Sequence, residues 1–305
     1  MYDIGIDVGG TNLKAGLVDE DGRILNTCRC PLHFTTPEDL ARDLAGLARQ
    51  VMGSLPEDQI RSVGIGIPGA VEGDQILFTA NIPMRDVPFG VLFRRYFEKP
   101  VYLANDADCA AAGEYLFGCG KGTRDFVIVT LGTGVGGGMI LGGKLHTGSC
   151  CAGEVGHMVI ETGGAPCSCG RRGCWESYCS ATGLIRMTRE ALASGKSCLQ
   201  GRELNGERIF SAAQAGDPLA RQVVDTYCRY LALGLTNLCN ILGPQVIAIG
   251  GGVADAPEEL LLKPVAQMVL SSCYSRHVGH HPQVVKATLG NDAGILGAAR
   301  IHSLL

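Results

Sequence analysis

Four times along this chain a run of β-branched and apolar residues gives way to a cluster of glycines. The clusters are Gly9-Gly10, Gly64 to Gly69, Gly132 to Gly143 and Gly250-Gly251-Gly252. A strand that ends in glycine can turn tightly and bring backbone N–H groups close to an anion, because no Cβ stands in the way. Repeated over 305 residues, this pattern narrows the chain to an α/β protein that handles phosphate. Composition adds one point: 44 residues are glycine, against a typical share of about 7%, and they sit at these junctions rather than in low-complexity tracts.

The pattern between the clusters gives an order of elements. A strand over Tyr2 to Val8 is followed by a second over Leu13 to Val18, an Asp21-Gly22 turn and a third over Arg23 to Cys28, an antiparallel meander. A helix then opens with Thr36 as N-cap, Pro37 at its first position and Asp39 in its first turn, with an apolar stripe of Leu40, Leu44, Leu47 and Val51. Strands are predicted at Ser62 to Ile67 and Val101 to Ala104, and a helix from Asp106 to Leu116. Gly118-Cys-Gly-Lys-Gly-Thr123 reads as a hinge.

After it the opening pattern restarts, with a strand at Phe126 to Leu131, a glycine turn, and strands at Gly138 to Leu141 and Lys144 to His146. The echo points to two similar lobes. Helices follow at Ser180 to Ser194, Ser211 to Ala215 and Pro218 to Leu242, then a strand at Gln245 to Ile249 and a closing helix from Asp292 to Leu305. The expected domains are a small N-terminal lobe of residues 1–118 plus about 290–305, and a larger C-terminal lobe of residues 119–289.

A net charge of −4 speaks against nucleic acid as a partner. No apolar run approaches the roughly 20 residues of a membrane span, and Met1-Tyr2-Asp3 opens directly on a strand with no secretory leader pattern. The expectation is a cytoplasmic enzyme with reduced thiols.

Of the 14 cysteines, most are scattered without ligand spacing and read as small core residues. Three are not. Glu154-Val-Gly156-His157 is followed by Cys167-Ser-Cys169-Gly-Arg-Arg-Gly-Cys174-Trp-Glu176. Cys167, Cys169, Cys174 and His157 make a full tetrahedral zinc set with no position left for water, which is the make-up of a structural site. A loop held that rigidly can present Glu154 and Glu176 to a ligand.

The segment Asp7-Val-Gly9-Gly10-Thr11-Asn12-Leu-Lys14 is a phosphate-loop candidate. Its glycine N–H groups and the Thr11 hydroxyl can cradle phosphate oxygens, and Asp7 can hold a Mg²⁺-bound water. Lys14 either pairs with phosphate or is a solvated strand residue. Gly132-Thr133-Gly134 opens a second such loop, and the run through Gly251 and Gly252 a third. Together they suit a nucleotide.

Taken together, Glu154-x-Gly-His157, Cys167-x-Cys169-Gly-x-x-Gly-Cys174-x-Glu176, Asn105-Asp106-Ala107 and Asp7-x-Gly-Gly-Thr11 closely resemble the ROK (repressor, open reading frame, kinase) sugar kinases. The resemblance covers essentially the whole chain. It implies an α/β, two-lobed actin-like ATPase (ribonuclease H-like) fold with a structural zinc site. The implied activity is ATP- and Mg²⁺-dependent phosphorylation of a hexose, with glucose to glucose 6-phosphate the first expectation. N-acetylmannosamine, N-acetylglucosamine, allose or fructose kinases and a non-catalytic sugar-binding regulator are the alternatives.

On the resemblance, Asp106 is the catalytic base. Asn105, Gly69, Asn81, Glu154, His157 and Glu176 contact sugar, and Gly251 and Gly252 lie against the adenosine. From the residues alone, Asn105-Asp106 is also a good helix N-cap, and the two roles are compatible. Where the glucokinase branch often has Asn-Leu-Gly-Trp, this chain has Asn81-Ile-Pro-Met84. Many family members carry an N-terminal DNA-binding helix-turn-helix. None is expected here, and the partners implied are a sugar, ATP and a second copy of the chain in a homodimer.

Overall fold

The computed structural model describes residues 1–79, 82–149 and 151–305. The chain packs as two compact units. Unit 1 is Met1–Arg124, Gly138–Gly153 and Thr288–Leu305; unit 2 is Asp125–Gly137 and Glu154–Ala287. The change from one to the other thus falls at Arg124/Asp125, a few residues beyond the glycine-rich hinge, and a segment of the second half returns to unit 1.

Unit 1 opens with β1 (Tyr2–Val8), β2 (Asn12–Val18), β3 (Ile24–Pro31), α1 (Pro37–Met52) and β4 (Ile60–Ile67). It continues through β5 (Gly69–Glu72), β6 (Gln75–Thr79), β7 (Arg85–Val87), α2 (Phe89–Arg94), β8 (Val101–Asn105) and α3 (Asp106–Phe117). The main sheet has the order β3-β2-β1-β4-β8. Its first three strands are antiparallel, while β1, β4 and β8 run parallel. Helix α1 starts as its sequence dictates, the Asp39 N–H donating to the Thr36 hydroxyl oxygen at 3.1 Å, and ends at Gly53 with φ 62°. Its Leu40 and Leu44 share one core with Ile4 and Ile6 of β1.

Gly5 of β1 points to the other face. There the closing helix, residues 293–300, lies so close that a Cβ on Gly5 would sit 1.9 Å from the Ile295 carbonyl oxygen, and one on Gly64 of β4 1.7 Å from that of Ala298. This corrects the expectation that the Gly64 cluster is a phosphate turn. Gly64 and Gly66 lie inside β4, and Gly64 is there because a helix crosses directly over it. The sheet of β5, β6 and β7 and the short α2 were not expected from the sequence; their strands are too short to show a period.

Unit 2 contains β9 (Phe126–Leu131) and the start of β10 (Val135–Leu141), which passes into unit 1 and pairs there with β11 (Lys144–Leu145). Back in unit 2 come α4 (Glu176–Cys179), α5 (Ala181–Leu192), α6 (Gly206–Gln214), α7 (Pro218–Leu242), β12 (Val246–Gly250), α8 (Leu262–Ser272) and β13 (Gln283–Lys286). Strands β9, β12 and β13 are parallel. Neither α4, α8 nor β13 is among the elements expected from the sequence, and α6 begins five residues before its expected start at Ser211. That helix starts at a capped polar turn, the Arg208 N–H donating to Asn205 Oδ1 at 2.8 Å, where no apolar stripe has yet begun.

The last helix, α9 (Ala293–Arg300), lies within unit 1 and stops short of the Leu305 end expected for it. The buried carboxylate of Glu114 on α3 holds the approach to it, accepting from the N–H groups of Thr288 and Leu289 at 2.7 Å each and from the Thr288 hydroxyl at 3.0 Å. At the far end of the sheet, buried Asp3 receives Arg61, Arg300 (2.8 Å) and the Ser62 hydroxyl (2.9 Å).

Candidate active site

In unit 1 the strand register places the predicted residues. Asp7 on β1 lies opposite Lys14 on β2 and Gly66 on β4, and Ile67 lies opposite Asn105 on β8. The three parallel strands therefore end together, releasing Gly9-Gly10, Gly69 and Asn105-Asp106 from one edge. Ligands in open α/β sheets bind at that carboxyl edge. Asn105 is locked twice: its Oδ1 accepts the Ala107 N–H at 2.8 Å as the cap of α3, and its Nδ2 donates to the Gly69 carbonyl at 3.0 Å. Asp106 Oδ1 accepts the Ala107 N–H at 2.9 Å, and the residue remains exposed while the next turn of the helix is buried. Cap and candidate base are thus the same two residues.

Burial pushes the Asp7 carboxyl above its ordinary range, and Lys14, 3.9 Å away, pulls it back only in part. Lys14 therefore faces Asp7 across a partly exposed ion pair. The Asn12 amide donates to Thr11 Oγ1 at 2.8 Å, and the Gly9 N–H to the Asn12 carbonyl at 2.9 Å, which closes the loop. A Cβ at Gly10 would meet nothing within 4 Å. Unlike Gly64, it is not required by packing, and that side of the loop is open. Asn81, a predicted sugar contact, lies outside the described residues. Met84 is 2% exposed and belongs to the core of unit 1.

In unit 2 the four candidate metal ligands converge: the ligand atoms of His157, Cys167, Cys169 and Cys174 all lie within 4.8 Å of one another. His157 Nδ1 is 3.6 Å from Cys167 Sγ, and Cys169 Sγ is 3.6 Å from Cys174 Sγ. A tetrahedron with Zn–S bonds of about 2.3 Å has edges of about 3.8 Å, so the donor set fits zinc. Turns at Gly170 (φ 85°) and Gly173 (φ 81°) shape the knuckle. Its base is fixed by buried Trp175, whose Nε1–H donates to the Tyr230 carbonyl at 2.9 Å. The Arg171 N–H lowers the Cys169 thiol to about 6, whereas burial raises Cys174 to about 12.

The other ring nitrogen of His157 faces Glu154, Nε2 to Oε2 3.9 Å. Gly156 allows that segment to lie on β10, since a Cβ there would be 2.2 Å from the Val135 carbonyl oxygen. Glu176 accepts the Val135 N–H at 3.0 Å on Oε2 and the Ser168 hydroxyl at 3.3 Å on Oε1. The sequence did not reveal this tie; its only trace is Gly134, where a Cβ would lie 2.4 Å from Glu176 Oε2.

Register also aligns the glycine loops of unit 2, with Gly250 opposite Thr130. Gly251 (φ 82°) packs on the Leu131 backbone, while Cβ atoms at Gly132 and Gly252 would meet nothing within 4 Å. The Gly132 and Thr133 carbonyls accept from the Ala181 N–H (2.8 Å) and the Thr182 hydroxyl (3.0 Å) at the start of α5. The loop is fixed on one side and open on the other.

The family model described as "ROK family" matches residues 3–303. The chain belongs to the ROK family. Among curated relatives it is 37% identical to a glucokinase of Halalkalibacterium halodurans over 96% of this chain and 92% of that one. It is 31% identical to the xylose repressor of Bacillus subtilis over 98% of this chain and 76% of that one. Among solved structures it resembles a ROK family glucokinase from Streptomyces griseus in complex with glucose and AMPPNP, with a TM-score of 0.81 and 36% identity over 99% of both chains. The fold is the actin-like ATPase fold of these kinases.

Proposed function

We propose that this chain is an ATP-dependent hexose kinase that converts glucose to glucose 6-phosphate. The observation that carries the reading is the exposed Asp106 at the head of α3, its neighbour Asn105 fixed to Gly69 at 3.0 Å. This arrangement stands in a chain 37% identical to glucokinase over 96% of its length. Asp106 accepts the proton of the sugar 6-hydroxyl as that oxygen attacks the γ-phosphorus of ATP, and ADP leaves with the bridging oxygen. The residues we assign to sugar contacts are Asn105, Gly69 and Asn81, and Glu154, His157 and Glu176. Gly9, Gly10, Thr11 and Asn12, with Gly132, Thr133 and Gly134, donate N–H and O–H groups to phosphate oxygens, and Gly251 and Gly252 leave room for the adenosine.

Zinc would be held by His157, Cys167, Cys169 and Cys174, with a structural role. Mg²⁺ when bound neutralises phosphate charge, and Asp7, whose buried carboxyl lacks a full counter-charge, would hold it. The reading includes a cytoplasmic homodimer with a sugar and ATP as its partners, and neither nucleic acid nor membrane. The net charge of −4 speaks against nucleic acid, and among the described residues no helix is long and apolar enough to cross a membrane. Phosphorus NMR of the product tests the reaction: a phosphate ester on the 6-hydroxyl of glucose is expected. ATP turnover that does not depend on sugar would contradict it.

A further inference from the structure

We infer that Glu176 is a positioning residue for the second glycine loop, so that its carboxylate sets nucleotide affinity even before sugar binds. The inference rests on the proposed kinase reading and goes beyond a sugar-ligand role. Three observations carry it, all within unit 2. First, Glu176 Oε2 accepts the Val135 N–H at 3.0 Å, one residue past Gly134. A carboxylate acceptor makes such a bond about twice as strong as a neutral one.

Second, Gly134 has no side chain where one would collide with that oxygen at 2.4 Å; loop and carboxylate are fitted to each other. Third, Glu176 is itself held from the knuckle side, by the Ser168 hydroxyl at 3.3 Å and by its place two residues after the ligand Cys174. The chain of contacts runs from knuckle to Glu176 to Val135 to the glycine loop. A sugar hydroxyl that engages Glu176 acts on the same carboxylate that steadies the loop. Coupling between the two substrates is then built into one unit, and by linkage it works in both directions.

The test is direct binding without turnover. Calorimetry measures a non-hydrolysable ATP analogue with Mg²⁺, in the absence of sugar, on wild type, Glu176→Gln and Glu203→Gln, with zinc per chain determined alongside. Glu176→Gln is expected to weaken the analogue about fivefold, the scale of one charge-assisted hydrogen bond. Glu203→Gln, at an exposed carboxylate of the same unit that pairs with Arg208, leaves the tie in place and should bind it within about twofold of wild type. Gly134→Ala breaks the tie from the loop side without touching the knuckle, and should weaken glucose binding in nucleotide-free protein. If Glu176→Gln lost glucose but bound the analogue as wild type does, Glu176 would be a sugar ligand only, and the kinase reading would stand without this inference. Failure of wild type to bind the analogue at all would remove both.

Discussion

Replacing Cys169 by serine should separate the metal from the fold. Cys169 is exposed at the tip of the knuckle, whereas Cys174 and Trp175 at its base are 0% exposed. The strand-like contacts of that base, including the Trp175 N–H to the Met158 carbonyl at 2.8 Å and the Ile160 N–H to that of Gly173 at 2.9 Å, do not involve the thiol. A structural zinc contributes about 10–16 kcal/mol. Shared over four ligands, that is about 2.5–4 kcal/mol each, or a 10²- to 10³-fold weaker site when one is lost. His157 and Glu176 then lose their anchor, and glucose KM should rise 10-fold or more, the scale on which partners of metal ligands act. Far-UV spectra should stay near wild type. The assay is elemental analysis of freshly purified, unchelated protein beside a glucose titration. Wild type without zinc, or a zinc-free variant with unchanged glucose KM, would refute the reasoning.

Asp106→Asn keeps shape and capping capacity but cannot take a proton, so kcat should fall by about 10²-fold or more with glucose binding little changed. Retention of near-wild-type turnover would leave Asp106 a helix cap. Gly297→Ala would put a Cβ 1.6 Å from the Cys109 carbonyl oxygen. Helix α9 is already wedged against Gly5 and Gly64, so the cost should exceed the ~1–3 kcal/mol of ordinary overpacking and lower Tm by at least about 5 °C; an unchanged Tm would show that α9 can slide. Asp3 has its carboxyl held below 3.8: burial alone would raise it, but hydrogen bonds from Arg61, Arg300 and Ser62 outweigh that. Its stabilising contribution is therefore full above the unfolded-state pKa and lost as pH falls below about 4. Denaturant titrations should show wild type losing stability there more steeply than Asp3→Asn, and parallel curves would count against the ion cluster.

The sequence made visible what depends on neighbours along the chain. Thr36 and Pro37 announce α1, Asn105 announces α3, and the spacing of Cys167, Cys169 and Cys174 announces a metal set, because caps and knuckles are local chemistry. What stayed hidden depends on distant backbone. Gly64 reads like a loop glycine, yet it exists for Ala298, more than two hundred positions away. Met84 stands where the glucokinase branch often has tryptophan, and only tertiary packing places its side chain in the core. Glu176 carries an obvious carboxylate, but its bond to Val135 is a tertiary fact. The short strands β5 to β7 were invisible for the same reason, being set by pairing rather than by period.

We propose Asp106 as the base that deprotonates the 6-hydroxyl of a hexose, glucose first. A coupled ADP-release assay over glucose, 6-deoxyglucose, mannose, allose, fructose, N-acetylglucosamine and N-acetylmannosamine tests it in one measurement. Glucose should give the highest kcat/KM; its epimers should turn over more poorly, because sites built from buried polar groups reject a substrate that leaves one unmatched, and 6-deoxyglucose should not turn over at all, because it has no 6-hydroxyl to accept the phosphoryl group. An acetamido sugar with the highest kcat/KM would contradict the glucose assignment, and ADP release with 6-deoxyglucose equal to that with glucose would contradict the mechanism.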